Sequence, residues 1–124
     1  MSHEFVVSEI FSEFCANGDM ALNYLMTEIV PWKKQNPDGI IIFNFENIRR
    51  INSSFANALI GNALALYGKE FIRIKGLREE LKVVIVAALV YGETIKQQEN
   101  TSDDSVGLIQ KLLHLLKQNK RTEE

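Results

Sequence analysis

One cysteine, Cys15, and two histidines, His3 and His114, occur in the 124-residue chain. A lone cysteine excludes an intrachain disulfide. A zinc site needs about four ligands, usually in close pairs, and these residues do not supply them. Such usage points to a reduced, intracellular setting. An excess of charge is missing too: 14 Lys+Arg stand against 16 Asp+Glu, net −2. No basic field is therefore available to hold a phosphate backbone, which argues against nucleic acid. The longest apolar stretch, Val83 to Tyr91, falls far short of the ~20 residues that a spanning helix requires. The opening Met1-Ser2-His3-Glu4 lacks the basic region and long apolar run of a secretory signal. The expectation is a cytoplasmic protein that uses neither membrane nor nucleic acid.

Glycine is too sparsely placed for the common phosphate and nucleophile loops. Neither G-x-x-x-x-G-K nor G-x-G-x-x-G occurs, and no G-x-S-x-G is present. A nucleophile-base pair would have to recruit His3 or His114, both in peripheral segments. With so few groups for a pocket to collect, the expectation is no enzymatic activity, no metal and no cofactor.

What remains is a globular composition, 46% apolar, in a length that suits one domain. Phe5-Val6-Val7 favours a first strand. Asn17 or Asp19 offers a cap for a helix whose Leu22, Leu25, Met26 and Ile29 share a face, with Pro31 kinking or shortening it. Asn36-Pro37-Asp38-Gly39 signals a turn. Ile40-Ile41-Ile42-Phe43 then predicts a central strand buried on both faces. A helix follows over 55–67, lined by Phe55, Leu59, Ala63 and Leu66 and ended by Gly68. Phe71 to Lys75 alternates apolar and basic, the pattern of a half-exposed strand. Leu77, Leu81, Ile85, Ala88 and Ile95 trace a helical stripe through 78–98. The alternation of strand and helix predicts an α/β layer fold with a largely parallel sheet packed by helices.

Residues 99–105 form a polar linker, so the domain is expected over 1–98. Leu108, Ile109, Leu112, Leu115 and Leu116 then give 106–120 the pattern of an extra C-terminal amphipathic helix. This stripe is free to pack on the domain, or to serve a homodimer or another partner.

The informative segment runs from Ile40 to Leu66. A buried strand ends at Phe45, and Asn52-Ser53-Ser54 opens the next helix. Amide groups at a helix N-terminus lack partners and carry positive potential. The plain reading is that a serine caps the helix. The functional reading is that a phosphoryl group placed on a serine there is stabilised by the same amides.

The stretch from Ile41 to Leu59, with Phe45-Glu46, Ile48 and Asn52-Ser53-Ser54-Phe55-Ala56, resembles the signature of STAS-like domains. Such domains occur in sulfate transporters and anti-sigma factor antagonists. Ser54-Phe55-Ala56 is similar to the variant carried by a bacterial STAS-like family of uncharacterised function. The resemblance covers roughly residues 5–98 by its order of elements, as alternating strands and helices do in such layer folds. It implies a mixed or parallel β-sheet packed by helices. In the antagonists a serine at this place is phosphorylated by a partner kinase that is also the anti-sigma factor. Residue by residue, that serine falls on Ser54, with Ser53 beside it. The family's aspartate position holds Asn52 and its glycine position holds Phe55. The implied function is a regulatory protein-interaction module whose partner is a histidine-kinase-like ATPase. The surface around Asn52, Ser53, Ser54 and the following helix is the expected partner face, with Asn52, Phe55, Asn57, Arg49 and Arg50 as candidate partner-binding residues. A homo-oligomeric scaffold without a phosphoswitch is one alternative. A small-nucleotide binder is another.

Three further residues have packing readings. Cys15 suits a small buried hydrophobe better than a nucleophile. Trp32 suits either packing over a helix end or anchoring a partner. Arg49 and Arg50 suit an exposed loop pair.

Overall fold

The computed structural model describes residues 1–98. The linker at 99–105 and the amphipathic segment at 106–120 lie outside the described residues.

Three parallel strands form the sheet, in the order β1 (Ser2–Val6), β3 (Ile40–Asn44), β5 (Ile72–Lys75). Phe5, Phe43 and Ile74 share one register line, as do Glu4, Ile42 and Arg73. Side chains alternate between faces along a strand. One face therefore carries Phe5, Ile41, Phe43 and Ile72, all buried. The other carries Glu4, Ile40, Ile42, Arg73 and Lys75. The all-apolar run at 40–43 does mark the central strand. It is not buried on both faces, however: Ile40 and Ile42 are only half-buried. Their neighbours on that face are charged, and a short network caps it. Asn44 Nδ2 donates to Glu4 at 2.7 Å, and Lys75 Nζ lies 2.8 Å from the other Glu4 oxygen.

A second, two-residue parallel pair joins β2 (Phe14–Cys15) to β4 (Arg50–Ile51). Cys15 and Ile51 face inward, while Phe14 and Arg50 face outward.

Val7 does not extend the first strand. It opens the one-turn helix α1 (Val7–Ile10), and its side chain is fully buried. Gly18 to Gln35 is continuously helical: α2 (Gly18–Tyr24), a wide π-helical turn (Leu25–Ile29), then α3 (Val30–Gln35). Pro31 neither ends nor shortens this helix. Its missing N–H and its ring bulk disturb the ladder one turn back. The wide turn lies there, with the Val30 amide donating to the Leu25 carbonyl rather than to residue 26.

The helix after β4 is built the same way: α4 (Ser53–Ala56), a π-helical turn (Asn57–Gly61) and α5 (Asn62–Tyr67). Phe55, Leu59, Ala63 and Leu66 are all buried, as their spacing predicts. Gly68 ends the helix at φ +94°, a conformation that favours glycine. After a short 3-10 turn (Glu79–Leu81), α6 (Lys82–Gln98) packs along α5 with Leu81, Ile85 and Ala88 buried at the contact side. The two backbones meet closely at Gly61 and Gly92, since a Cβ on Gly92 would fall 2.2 Å from the Gly61 carbonyl oxygen.

Lys33 is buried at the foot of the sheet. Its ammonium donates to the Pro37 and Gly39 carbonyls and lies 3.7 Å from the centre of the Phe71 ring. Burial lowers its pKa, and the nearby Asp38 charge opposes that shift. The residue clamps the Asn36–Gly39 turn that feeds β3.

Candidate functional site

Two helices begin beside each other. Asn17 caps α2, its side-chain oxygen accepting from the Met20 amide at 3.1 Å. Asn52 caps α4, its Oδ1 accepting from the Phe55 amide at 2.8 Å. The plain reading of a serine cap is therefore corrected: Asn52 is the cap, and Ser53 and Ser54 are the first two helical residues. An Asn at the cap supplies the same acceptor oxygen as Asp or Ser. Its amide adds a second tie, because Asn52 Nδ2 donates to the Ala16 carbonyl at 2.8 Å. The Asn52 N–H donates to the Cys15 carbonyl at 3.0 Å. One side chain thus caps α4 and fastens it to the loop that opens α2.

Ser54 sits at that junction. A Cβ placed on Gly18 would fall 2.3 Å from Ser54 Oγ and 3.1 Å from its carbonyl oxygen. Only glycine lets the start of α2 approach so closely. Ser53, Ser54 and Asn52 are all exposed. With Phe55 N–H held by the cap and Asn52 N–H held by Cys15, the amides of Ser53 and Ser54 are the ones left without an intrahelical partner. Asp19, in the first turn of α2, already complements that helix's dipole.

The other expected site residues separate. Phe55 is 1% exposed, and its ring packs edge-on against Phe11 at 4.8 Å. As a direct partner contact it is corrected: its side chain belongs to the core. The same burial leaves the family's glycine position unobstructed at the surface, because the bulk points inward. Asn57 lies a turn further on and is half-buried. Arg49 and Arg50 are exposed, and both amides donate to the Glu13 carbonyl. Arg49 Nε lies 3.7 Å from a Glu13 carboxylate oxygen, a loose surface pair. Arg50 stands beside Phe14 in the outward register of β2 and β4.

Two large apolar side chains border this region in the open. Phe14 and Met20 are each 53% exposed. Neither was singled out by sequence pattern. Phe14 precedes a buried Cys in a strand too short for alternation to register. Met20 sits in an apolar run whose inward face is set by Ala21 and Leu22. Cys15, between them in the chain, is 2% exposed, and burial pushes its thiol pKa up to about 11. It is held protonated and is a packing residue. Trp32 is half-buried, and its ring packs near His3 and Phe5.

Residues 24–81 match the family model of the STAS-like domain of unknown function (DUF4325). Over that stretch the chain is similar to a STAS-like domain. The matched stretch holds α3, β3, β4, α4, α5 and β5, and so includes Asn52, Ser53 and Ser54. It is shorter than the 5–98 stretch expected from the order of elements, and leaves β1, β2 and α6 outside it. No curated protein and no solved structure matches the chain. The parallel sheet packed by helices agrees with the STAS-like expectation. No helix among the described residues is long and apolar enough to cross a membrane.

Proposed function

We propose that this STAS-like chain is a non-catalytic regulatory module that binds a protein partner through the surface around Ser54, and that phosphorylation of Ser54 switches that binding. One observation carries the reading. Ser54 is exposed at the start of α4 and abuts the start of α2, with its own amide and that of Ser53 left without intrahelical partners.

A phosphoryl group brings about −1.5 to −2 charges and three acceptor oxygens. Placed on Ser54, it would draw on the two available amides and the positive end of the helix. The same charge would also alter the outer surface around it. Phe14 and Met20 give that surface apolar contact area of the kind interfaces bury at their centre. A charge at its margin would oppose burial against an apolar face and favour an Arg-rich one. The partner class that fits is a serine kinase of the histidine-kinase-like ATPase type. That assignment rests on the STAS-like resemblance, and it needs no metal, cofactor or reacting group in this chain.

The test is phosphopeptide mapping of the chain purified from its own cells, with Ser54→Ala as the comparison. A single phosphoryl group on Ser54, lost in Ser54→Ala, supports the switch. A modification confined to other positions, or none under any growth condition, refutes it.

A further inference from the structure

From Val83 to Tyr91 every residue of α6 is apolar. The domain uses one side of that stretch, where Ile85 and Ala88 are buried. On the other side Val83 is 78% exposed, Val86 56% and Val90 60%. At about 100° per residue the three valines fall within an arc of about 60°, one stripe along the helix. A helix that is apolar all round is normally covered all round. A groove of about 340 Å³ opens beside the stripe, lined by Val86, Leu89 and Val90 and by Ile72 and Ile74 of β5, so the apolar surface extends beyond the helix. The charges at its border say what fits on it. Lys82 and Glu93 lie on the same flank of the stripe, one near each end of the valines. Such a face is complementary to itself when a second copy runs antiparallel to it.

We propose that two copies of the chain associate through α6, packed antiparallel about a two-fold axis that passes between Val86 and Val90. That axis sets Val86 of each copy against Val90 of the other. It also brings Lys82 of each copy level with Glu93 of the other, on one flank and to within a single residue's rise of about 1.5 Å. The contact is isologous, so each favourable pair occurs twice. Lys82 already holds Glu79 at 3.0 Å in its own chain. An ammonium has three donors, so it serves both carboxylates. A parallel arrangement would set like charges level with one another and is disfavoured. A single helix stripe is a small interface, of the weak and reversible class. The contact involves neither Ser53 nor Ser54, so its test is separate from that of the switch.

Sedimentation velocity on the full chain between about 5 and 500 µM tests this. The expected result is a monomer that becomes a dimer across that range. Val86→Glu, at an exposed position, should hold the chain monomeric throughout, while its Tm at the dilute end moves by no more than about 4 °C. Lys82→Glu and Glu93→Lys should each weaken the dimer about tenfold, because each sets like charges together twice. Combining the two should restore it. A chain that stays monomeric at every concentration overturns the proposal. So does a dimer that survives Val86→Glu, which would be built on another surface. A double variant no stronger than either single one overturns the antiparallel pairing and the proposal with it.

Discussion

Gly18 and Ser54, from two different helices, touch so closely that a single added methyl on Gly18 would fall 2.3 Å from the Ser54 hydroxyl oxygen. The start of α2 and the start of α4 are therefore one structural unit. Anything that changes Ser54 is felt at α2. Gly18→Ala is expected to destabilise the domain by about 1 kcal/mol through overpacking. In a domain of this size that lowers Tm by about 4–8 °C. In a Ser54→Ala background the hydroxyl is gone, so the same substitution should cost about 0.5–1 kcal/mol less. Thermal unfolding of the four members of this cycle measures the coupling. Strict additivity would show that the two residues do not meet.

Gly92→Ala tests the contact that fixes α6 to the domain. The added Cβ would meet the Gly61 carbonyl oxygen at 2.2 Å, and a backbone atom cannot rotate aside. The two helices must separate. The expected loss is about 1–3 kcal/mol, read from urea unfolding midpoints at unchanged slope. A loss within error of zero would mean that α6 is not seated where it is described.

Cys15 provides a chemical probe of the core. Its pKa is about 11 against an ordinary 9.0, owing to burial. Two pKa units reduce the thiolate fraction about a hundredfold. Alkylation at pH 8 should therefore be at least that much slower in the folded chain than in urea. The shift has a stability consequence with a fixed sign. The fold holds the thiol's proton more tightly than the unfolded chain does. That contribution is complete below pH 9 and is lost as pH rises toward 11. Cys15→Ala should lack this alkaline loss. Rapid labelling of the native chain would contradict the burial.

Glu4 gives a prediction at the other end of the pH scale. Its hydrogen bond with Lys75, then that from Asn44, holds its carboxyl below the usual carboxylate range. The fold thus binds this proton less tightly than the unfolded chain. Its contribution is present above pH 4.5 and is lost as pH falls through the lowered value. Glu4→Gln should show a shallower fall in stability between neutral pH and pH 3 than the unaltered chain. Identical acid limbs would show that the network across the open sheet face adds nothing.

Patterns that repeat along one element were legible in the sequence. The apolar run at 40–43 placed the central strand, and the spacing of Phe55, Leu59, Ala63 and Leu66 placed the inner face of the middle helix. Features made between elements were not. Lys33 looks like a surface lysine on the polar side of its helix, yet a turn and an aromatic ring from elsewhere enclose it. Pro31 reads as a kink or an early end, but a wide turn ahead of it lets the helix continue to Gln35. At the site, Asn52-Ser53-Ser54 marked the start of a helix. Which of the three caps it depended on the path of the chain before it, and on the Ala16 carbonyl waiting beside Asn52. The approach of Gly18 to Ser54 has no local signal, because it joins two turns far apart in sequence.

The central claim is that charge at Ser54 decides which protein this chain holds. The most direct measurement is a pull-down from native lysate with unaltered, Ser54→Ala and Ser54→Asp baits, read by mass spectrometry. The account predicts an ATPase or kinase retained by the unaltered and Ser54→Ala baits but not by Ser54→Asp, or the reverse. The same partners on all three baits in equal amounts would contradict it.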